Sequence, residues 1–325
     1  MQNMNTCSII HQFGKLEDVI ELETRELPFC GPNDLVIRME YAPINPSDLI
    51  TISGAYRGRT QLPFLPGFEG VGIVHQVGDN VSQFKIGERV MPIRQSGTWQ
   101  QYQIASSENC FKMDDRLSAQ DAAMSYINPM TAIKMVDEIT QVNRADKVLV
   151  NAANSEIGHI IIELCLKIGA DITALARSDR SANELSQKFG DQVTVQNQDR
   201  FLSAKNVQKY NAMFDAIGGP VAEELALSLK TNGMIVHYGL LSGVPISPKL
   251  NQQRPDIQLK LYWLRNWVHS APYKDVQEMF DKSAGFILDG TISTRVFKTL
   301  PLEDIKHAEK VLNDPNRSGK VLLKL

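Results

Sequence analysis

The sequence predicts an α/β protein of two domains: a β-rich, barrel-like domain drawn from both ends of the chain, and a parallel α/β domain inserted between them. Three observations predict it. The first third is dense in short strand-like runs separated by Gly and Pro, the texture of a small closed β domain. From about residue 118 strand-like and helix-like segments alternate, which demands βαβ units and a parallel sheet covered by helices. The chain closes on a strand-like run, Lys320-Val-Leu-Leu-Lys-Leu, which suits a return to the first domain. At 325 residues the chain has room for two domains of roughly 100–200 residues each. The expected division is 1–118 with 268–325 for the β domain and 119–267 for the α/β domain.

The elements follow in order. Residues 34–40 form a strand, and Pro43-Ile-Asn-Pro-Ser-Asp a turn. Residues 70–78 are a second strand with Gly at its bends, and 88–92 and 101–104 are shorter ones. Ser118-Ala-Gln-Asp opens a helix, with Ser118 as N-cap and Asp121 in the first turn. Strands are then expected at 147–152, 171–176, 212–217 and 234–239, with helices at 157–168, 181–189 and 220–229 between them. A last helix, 276–288, carries apolar Val276, Met279, Phe280 and Phe286.

Composition excludes several classes. With 43% hydrophobic and 22% charged residues the chain can bury two cores and is not disordered. A net charge of −3, without a basic stripe, gives no footprint for nucleic acid. No apolar run reaches the ~18 residues of a membrane span. The start, MQNMNTCSIIHQFG, reads as neither a secretion nor an import signal. The four scattered cysteines form no CxxC pair, so neither a disulfide framework nor a zinc knuckle is expected. Reduced thiols and a cytoplasmic location are the expectation.

Chemistry enters at Val148-Leu-Val-Asn-Ala-Ala-Asn-Ser-Glu-Ile-Gly-His. A strand, a tight turn and a helix N-terminus make a pyrophosphate cradle, because backbone N–H groups and the helix dipole face the anion. Only Gly158 is a glycine, so the segment does not match GxGxxG and on its own equally suits any βα turn. The next strand adds weight. It ends in Ala176-Arg177-Ser178-Asp179-Arg180, about 20 residues past the turn, where the adenosine ribose should sit. A guanidinium there suits a 2′-phosphate, and so NADPH. Asp179, close by, would favour NAD if it faced the ribose.

These segments and others carry a resemblance. Asn45-Pro-Ser-Asp, Gly54-Ala-Tyr56, Leu65-Pro-Gly-Phe-Glu-Gly-Val-Gly, Asn128-Pro-Met-Thr-Ala, Asn151-Ala-Ala-Asn-Ser, Tyr238-Gly, Tyr262-Trp-Leu-Arg-Asn-Trp and Ser318-Gly-Lys320 occur in this order. The chain resembles the zinc-free branch of the medium-chain dehydrogenase/reductase superfamily. Within it, the likeness is greatest to NADPH-dependent 2-enoyl thioester reductases, with quinone oxidoreductases near. The resemblance implies a discontinuous GroES-like β-barrel domain with an inserted Rossmann domain, and a homodimer paired through the edge of the Rossmann sheet.

It also implies roles. Zinc-bearing relatives place a Cys early and a His-Glu pair after a Pro-Gly. Here those places read Asn45-Pro-Ser-Asp and Phe68-Glu69, so no metal is expected. Tyr56 matches the family's catalytic tyrosine, a phenol able to give a hydrogen bond or a proton to the reacting system. Asn128 and Thr131 would sit near the nicotinamide, Asn154, Ser155, Glu156 and Ile157 at the pyrophosphate turn, and Arg177 at the 2′-phosphate. Tyr238 and Gly239 would border the nicotinamide ribose. Tyr262, Trp263 and Leu264 would touch cofactor or acyl chain, and Lys320 would reach the cofactor from the last strand. Asn45, Trp263 and Trp267 would line the substrate pocket, the two tryptophans fitting a core equally well.

Two departures stand out. Glu156 occupies a place where the family usually has a small residue, and its carboxylate would repel a pyrophosphate unless turned away. The family's Arg-Asp-Arg clamp becomes Arg177-Ser-Asp-Arg180, so only Arg177 carries over. The resemblance implies reduction of a 2-enoyl thioester by NADPH. A quinone or enone reductase is the alternative, and an NADPH-binding protein without catalysis a third reading.

Overall fold

The structure, a computed structural model, describes residues 4–204 and 209–325. Its strands are β1 (Met4–Ile10), β2 (Ile20–Glu26), β3 (Asp34–Pro43), β4 (Val71–Val77), β5 (Arg89–Pro92), β6 (Tyr102–Ser106), β7 (Cys110–Lys112), β8 (Lys147–Val150), β9 (Asp171–Ala176), β10 (Thr194–Asn197), β11 (Tyr210–Asp215), β12 (Leu229–His237), β13 (Gln258–Leu261), β14 (Val296–Pro301) and β15 (Lys320–Lys324). Two compact units emerge: residues 1–127 with 265–290 and 294–325, and residues 128–264 with 291–293. The first boundary falls later than the Ser118 cap because the helix Ala119–Ala123 packs on β3 and β4 of the first unit. Ser118 does cap that helix, accepting the Asp121 N–H.

The first unit contains a seven-stranded sheet in the order β14-β15-β3-β4-β5-β7, with β6 also paired to β3. The return of the chain is visible in one register: β15 runs antiparallel to β3, with Leu322 opposite Pro43 and Leu323 opposite Ala42. Val321 and Leu323 join Ile10, Ile20, Ile52 and Trp99 in one core. The hairpin β1–β2 was not expected from sequence, and the turn expected at 43–48 is a turn only to Asn45. Pro46–Ile52 is a helix, with Pro at its first position and Asp48 three residues past the Asn45 cap, accepting the Asn45 N–H at 2.7 Å. That is a helix start signal, here with Asn and Asp in place of the commoner Ser and Glu.

The second unit is a six-stranded parallel sheet in the order β10-β9-β8-β11-β12-β13. Numbered within the unit, this is the doubly wound order 3-2-1-4-5-6, with its switch point between β8 and β11. The helices Glu156–Ile168, Asp179–Phe189 and Gly219–Ala226 make the crossovers. The last ends before 229, where a longer helix was expected, because Leu229 already pairs with Tyr210 as the first residue of β12. The edge strands β10 and β13 are four residues each and at least half polar, too short for a periodic signal. Among the described residues no helix is long and apolar enough to cross a membrane.

Candidate active site

Ligands of doubly wound sheets bind beyond the carboxyl ends of the strands at the switch point. In this unit each central strand ends by exchanging an apolar run for one polar side chain: Asn151 after β8, Asp215 on β11, His237 on β12. They interlock. Asp215, fully buried, accepts the Asn151 side-chain amide and the backbone N–H groups of Ile217 and Gly218 at 3.1 Å each. His237 Nδ1 lies 2.5 Å from its other oxygen, and Asn151 Oδ1 accepts the Ala216 N–H at 2.9 Å. The network fixes the loop after β11 against the end of β8.

The turn after β8 is similarly constrained. Ala152 takes a left-handed φ of 45°, and Ser155 caps the helix Glu156–Ile168 by accepting the Gly158 N–H at 3.1 Å. A Cβ on Gly158 would lie 2.7 Å from the Ala153 carbonyl oxygen, so only glycine lets helix and turn approach this closely. Ser155, Glu156 and Ile157 stand half-buried around that helix start. The Asn154 side chain turns toward its neighbours instead, donating to Glu184 at 3.1 Å with His159 3.3 Å from its oxygen.

Beyond β9, Arg177 is exposed and makes no ion pair among the described residues. The charges beside it are occupied. Asp179 accepts from Asn197 and Arg200 at 2.9 Å each, and Arg180 donates to Glu184 at 3.0 Å. Asp179 therefore faces the helix Gln198–Ser203.

Past the ends of β12 and β13 stand two tyrosines whose hydroxyls are buried without a hydrogen-bond partner among the described residues, Tyr238 and Tyr262. Burial pushes both phenols above their ordinary range. The Tyr262 N–H donates to the His237 carbonyl at 2.9 Å, tying the two strand ends together. A Cβ on Gly239 would meet the Ala216 oxygen at 2.8 Å. Trp263 is exposed, Leu264 buried, and Asn128 and Thr131 share a face of the helix Ile127–Ile133. A buried hydroxyl without a partner costs roughly 1–3 kcal/mol. Two at the crest of such a sheet, beside a glycine-tight cradle, fit a nicotinamide dinucleotide whose polar groups complete them.

The first unit holds a second constellation. The Lys320 ammonium donates to Asn45 Oδ1, and Asn45 Nδ2 donates to Glu69 Oε2 at 2.8 Å. The other Glu69 oxygen accepts the N–H groups of Tyr126 and Ile127 at 3.1 and 2.8 Å. Asn45, Asp48, Glu69 and Lys320 are all buried. Lys320, expected from the resemblance to reach the cofactor, directs its ammonium into this cluster.

Burial pushes the Asp48 carboxyl up to about 7, against the pull of the Asn45 and Phe68 amides that it accepts and of the Lys320 charge. The folded protein thus keeps a proton that the unfolded chain releases above about pH 4. This contribution to stability is complete below that pH and is lost as the pH rises through about 7. Its full size is on the order of 4 kcal/mol at 1.36 kcal/mol per unit of pKa. Unfolding measured from about pH 4 to about pH 8 should show the wild type losing stability faster than Asp48→Asn. Parallel curves would show that Asp48 is ionised throughout.

Tyr56 lies in the loop after the helix Pro46–Ile52. Gly54 turns the chain with φ 85°, and a Cβ there would press on the Phe13 ring at 2.9 Å. The half-buried Tyr56 accepts the Arg59 N–H at 3.0 Å and the Thr60 hydroxyl at 3.1 Å on its backbone carbonyl. The Arg59 guanidinium stacks 3.8 Å above its ring. Trp267, in the helix Leu264–Ser270, is half-buried.

Comparison with known proteins places this architecture. An alcohol dehydrogenase GroES-like domain matches residues 31–115, and a zinc-binding dehydrogenase domain matches residues 189–323. The mitochondrial enoyl-[acyl-carrier-protein] reductase of Arabidopsis thaliana is 32% identical over 305 residues, covering 90% of this chain and 80% of its own. The chain belongs to the medium-chain dehydrogenase/reductase superfamily. It is an oxidoreductase. The human mitochondrial enoyl-[acyl-carrier-protein] reductase is 28% identical over 94% of this chain and 84% of its own. Among solved structures, a Bacillus thuringiensis protein assigned as an NADPH:quinone reductase is 33% identical, covers 99% of each chain and superposes with a TM-score of 0.89. Escherichia coli quinone oxidoreductase, solved with NADPH, shares the fold with a TM-score of 0.87 at 20% identity, over 98% of this chain and 100% of its own.

One domain name of the superfamily raises zinc, and the residues here do not fit it. At the place of the metal-binding relatives' ligands, an ammonium already occupies the Asn45 oxygen. Both Glu69 oxygens are taken by N–H donors, and among the described residues neither a thiolate nor an imidazole bonds to this cluster. Among the described residues, metal-type donors converge at His11, Glu21 and Glu23 on the exposed β1–β2 hairpin. There Glu23 already holds Arg25 at 2.6 Å.

The structure brings Ser155, Glu156 and Ile157 together at one helix start, and Tyr238 with Tyr262 at neighbouring strand ends. Asn45 and Lys320 meet as well, in a buried cluster of the first unit. The reading of the sequence missed Asn151, Asp215 and His237. The signal was available: three apolar strands each ending in one polar residue.

Proposed function

We propose that this superfamily member uses NADPH to reduce the C=C bond of a 2-enoyl thioester. The likeness to the Arabidopsis enoyl-[acyl-carrier-protein] reductase over nine-tenths of the chain carries the choice of reaction. Arg177, where the resemblance puts the adenosine ribose, supports the choice of NADPH, because it makes no ion pair among the described residues while Asp179 is engaged elsewhere. Bound NADPH supplies a hydride. The chain's own residues do the rest. Tyr238 and Tyr262 offer their hydroxyls to the cofactor, and Asn128 and Thr131 flank the nicotinamide. Tyr56 donates a hydrogen bond to the thioester carbonyl, so that negative charge arising there as hydride adds to the β-carbon is stabilised. A proton delivered to the α-carbon completes the saturated thioester.

Steady-state NADPH oxidation with crotonyl-CoA and longer enoyl-CoAs tests the reaction. Turnover of quinones with none of any thioester would replace it by the second reading, quinone reduction, which the 33% identity to the Bacillus thuringiensis protein favours. Arg177→Ala tests the cofactor. One or two charge-assisted hydrogen bonds of roughly 1.5–3 kcal/mol each should vanish. KM for NADPH should then rise at least about tenfold while KM for NADH hardly moves. The dimer expected from the resemblance would pair along β13, an edge strand whose Leu261 is 75% exposed. A monomer at micromolar concentration by light scattering refutes it.

A further inference from the structure

The stretch between Asp48 and Glu69, which holds Tyr56, contains no Asp or Glu, and its charges are Arg57 and Arg59. In a chain of net charge −3 this is a local excess of positive charge beside the residue proposed to hold the reacting carbonyl. Both arginines are exposed, and both are held in place. Arg57 donates through Nε to the Gly54 carbonyl at 3.2 Å, which fixes its guanidinium while sparing the terminal nitrogens from that bond. Arg59 is stacked on the Tyr56 ring. Between them an open cavity of about 420 Å³ is lined by Arg57, Gly58, Arg59, Thr60, Gln61, Phe64 and Ser96. A Cβ on Gly58 would meet nothing within 4 Å, so the space over the glycine is open. Two guanidinium forks, with hydroxyl and amide donors around them, suit a phosphate.

We propose that Arg57 and Arg59 form an anion subsite for the phosphate of the substrate's carrier, and so select thioesters of phosphopantetheine or CoA over uncharged enones and quinones. This inference rests on the enoyl-thioester reading of the Tyr56 site. The carbonyl would lie at the Tyr56 hydroxyl and, because Arg59 stacks on the same ring, the pantetheine arm would fold back to bring its phosphate to the arginines. Pairing of the phosphate lowers KM; it does not alter the reacting bonds, so the effect belongs in binding.

The test compares kcat/KM for four crotonyl thioesters with NADPH: N-acetylcysteamine, pantetheine, 4′-phosphopantetheine and CoA. The wild type should prefer the phosphate-bearing pair by about tenfold or more, with KM rising as salt is added. Arg57→Gln with Arg59→Gln should remove most of that preference, and Arg57→Lys with Arg59→Lys should retain part of it. Because each variant is judged by its ratio between substrates, any disturbance of Tyr56 through Arg59 cancels. Loss for both phosphate carriers identifies the pantetheine phosphate, and loss for CoA alone the nucleotide phosphates. An unchanged ratio in the Gln pair overturns the proposal. If no thioester is reduced at all, the enoyl reading falls separately. The subsite is then read by calorimetry with CoA itself, where binding that the Gln pair abolishes upholds it and no binding to the wild type refutes it.

Discussion

Lys320→Met should cost roughly 3–5 kcal/mol of unfolding free energy, the loss seen when one partner of a buried charged cluster is removed. Lys320 is buried at 7% exposure among Asn45, Asp48 and Glu69, and its charge pulls both carboxyls down against the desolvation that pushes them up. Methionine keeps most of the volume, so the loss measures charge rather than packing. It also strips Asn45 Oδ1 of the ammonium donor. Adding Glu69→Gln to Lys320→Met should restore part of the stability, since the pair then leaves less charge stranded. Denaturation monitored in the single and double variants gives the coupling directly. A Lys320→Met protein as stable as the wild type but with weakened NADPH binding would return Lys320 to the cofactor role implied by the resemblance.

That cluster illustrates what a sequence discloses. The β15 strand was legible as an apolar run at the end of the chain that suits a return to the first domain, but its pairing with β3 was not. Periodicity does not report which partner a buried polar residue finds across a sheet, so the Lys320–Asn45 contact, spanning most of the chain, was invisible. The doubly wound unit was legible because its strands β8, β9, β11 and β12 carry apolar runs that alternate with helix-like segments. The strands β10 and β13 were not, because Thr-Val-Gln-Asn and Gln-Leu-Lys-Leu owe their pairing to neighbours rather than to their own pattern. In the cradle, Gly158 and Ser155 could be read locally. The side-chain direction of Asn154, set by Glu184 and His159 on packed helices, could not.

Tyr56→Phe should lower kcat for crotonyl-CoA by about 10²-fold or more, the range for a positioned proton or hydrogen-bond donor, with KM little changed. The substitution is local. The loop is held by backbone bonds, Arg59 N–H and Thr60 Oγ1 to the Tyr56 carbonyl, and the Arg59 stack needs only the ring. Phenylalanine preserves all three and removes the hydroxyl alone, so a fall in kcat isolates the oxygen's role in the transition state. With the metal position filled by Lys320, Asn45 and Glu69, no Lewis acid is available there to polarise the carbonyl. The phenol is then the electrophile on which thioester reduction depends. Quinones accept charge over a delocalised ring and need it less, so the same variant should keep most of any quinone activity. If Tyr56→Phe reduces crotonyl-CoA at the wild-type rate, Tyr56 is a loop residue and the thioester reading loses its catalytic group.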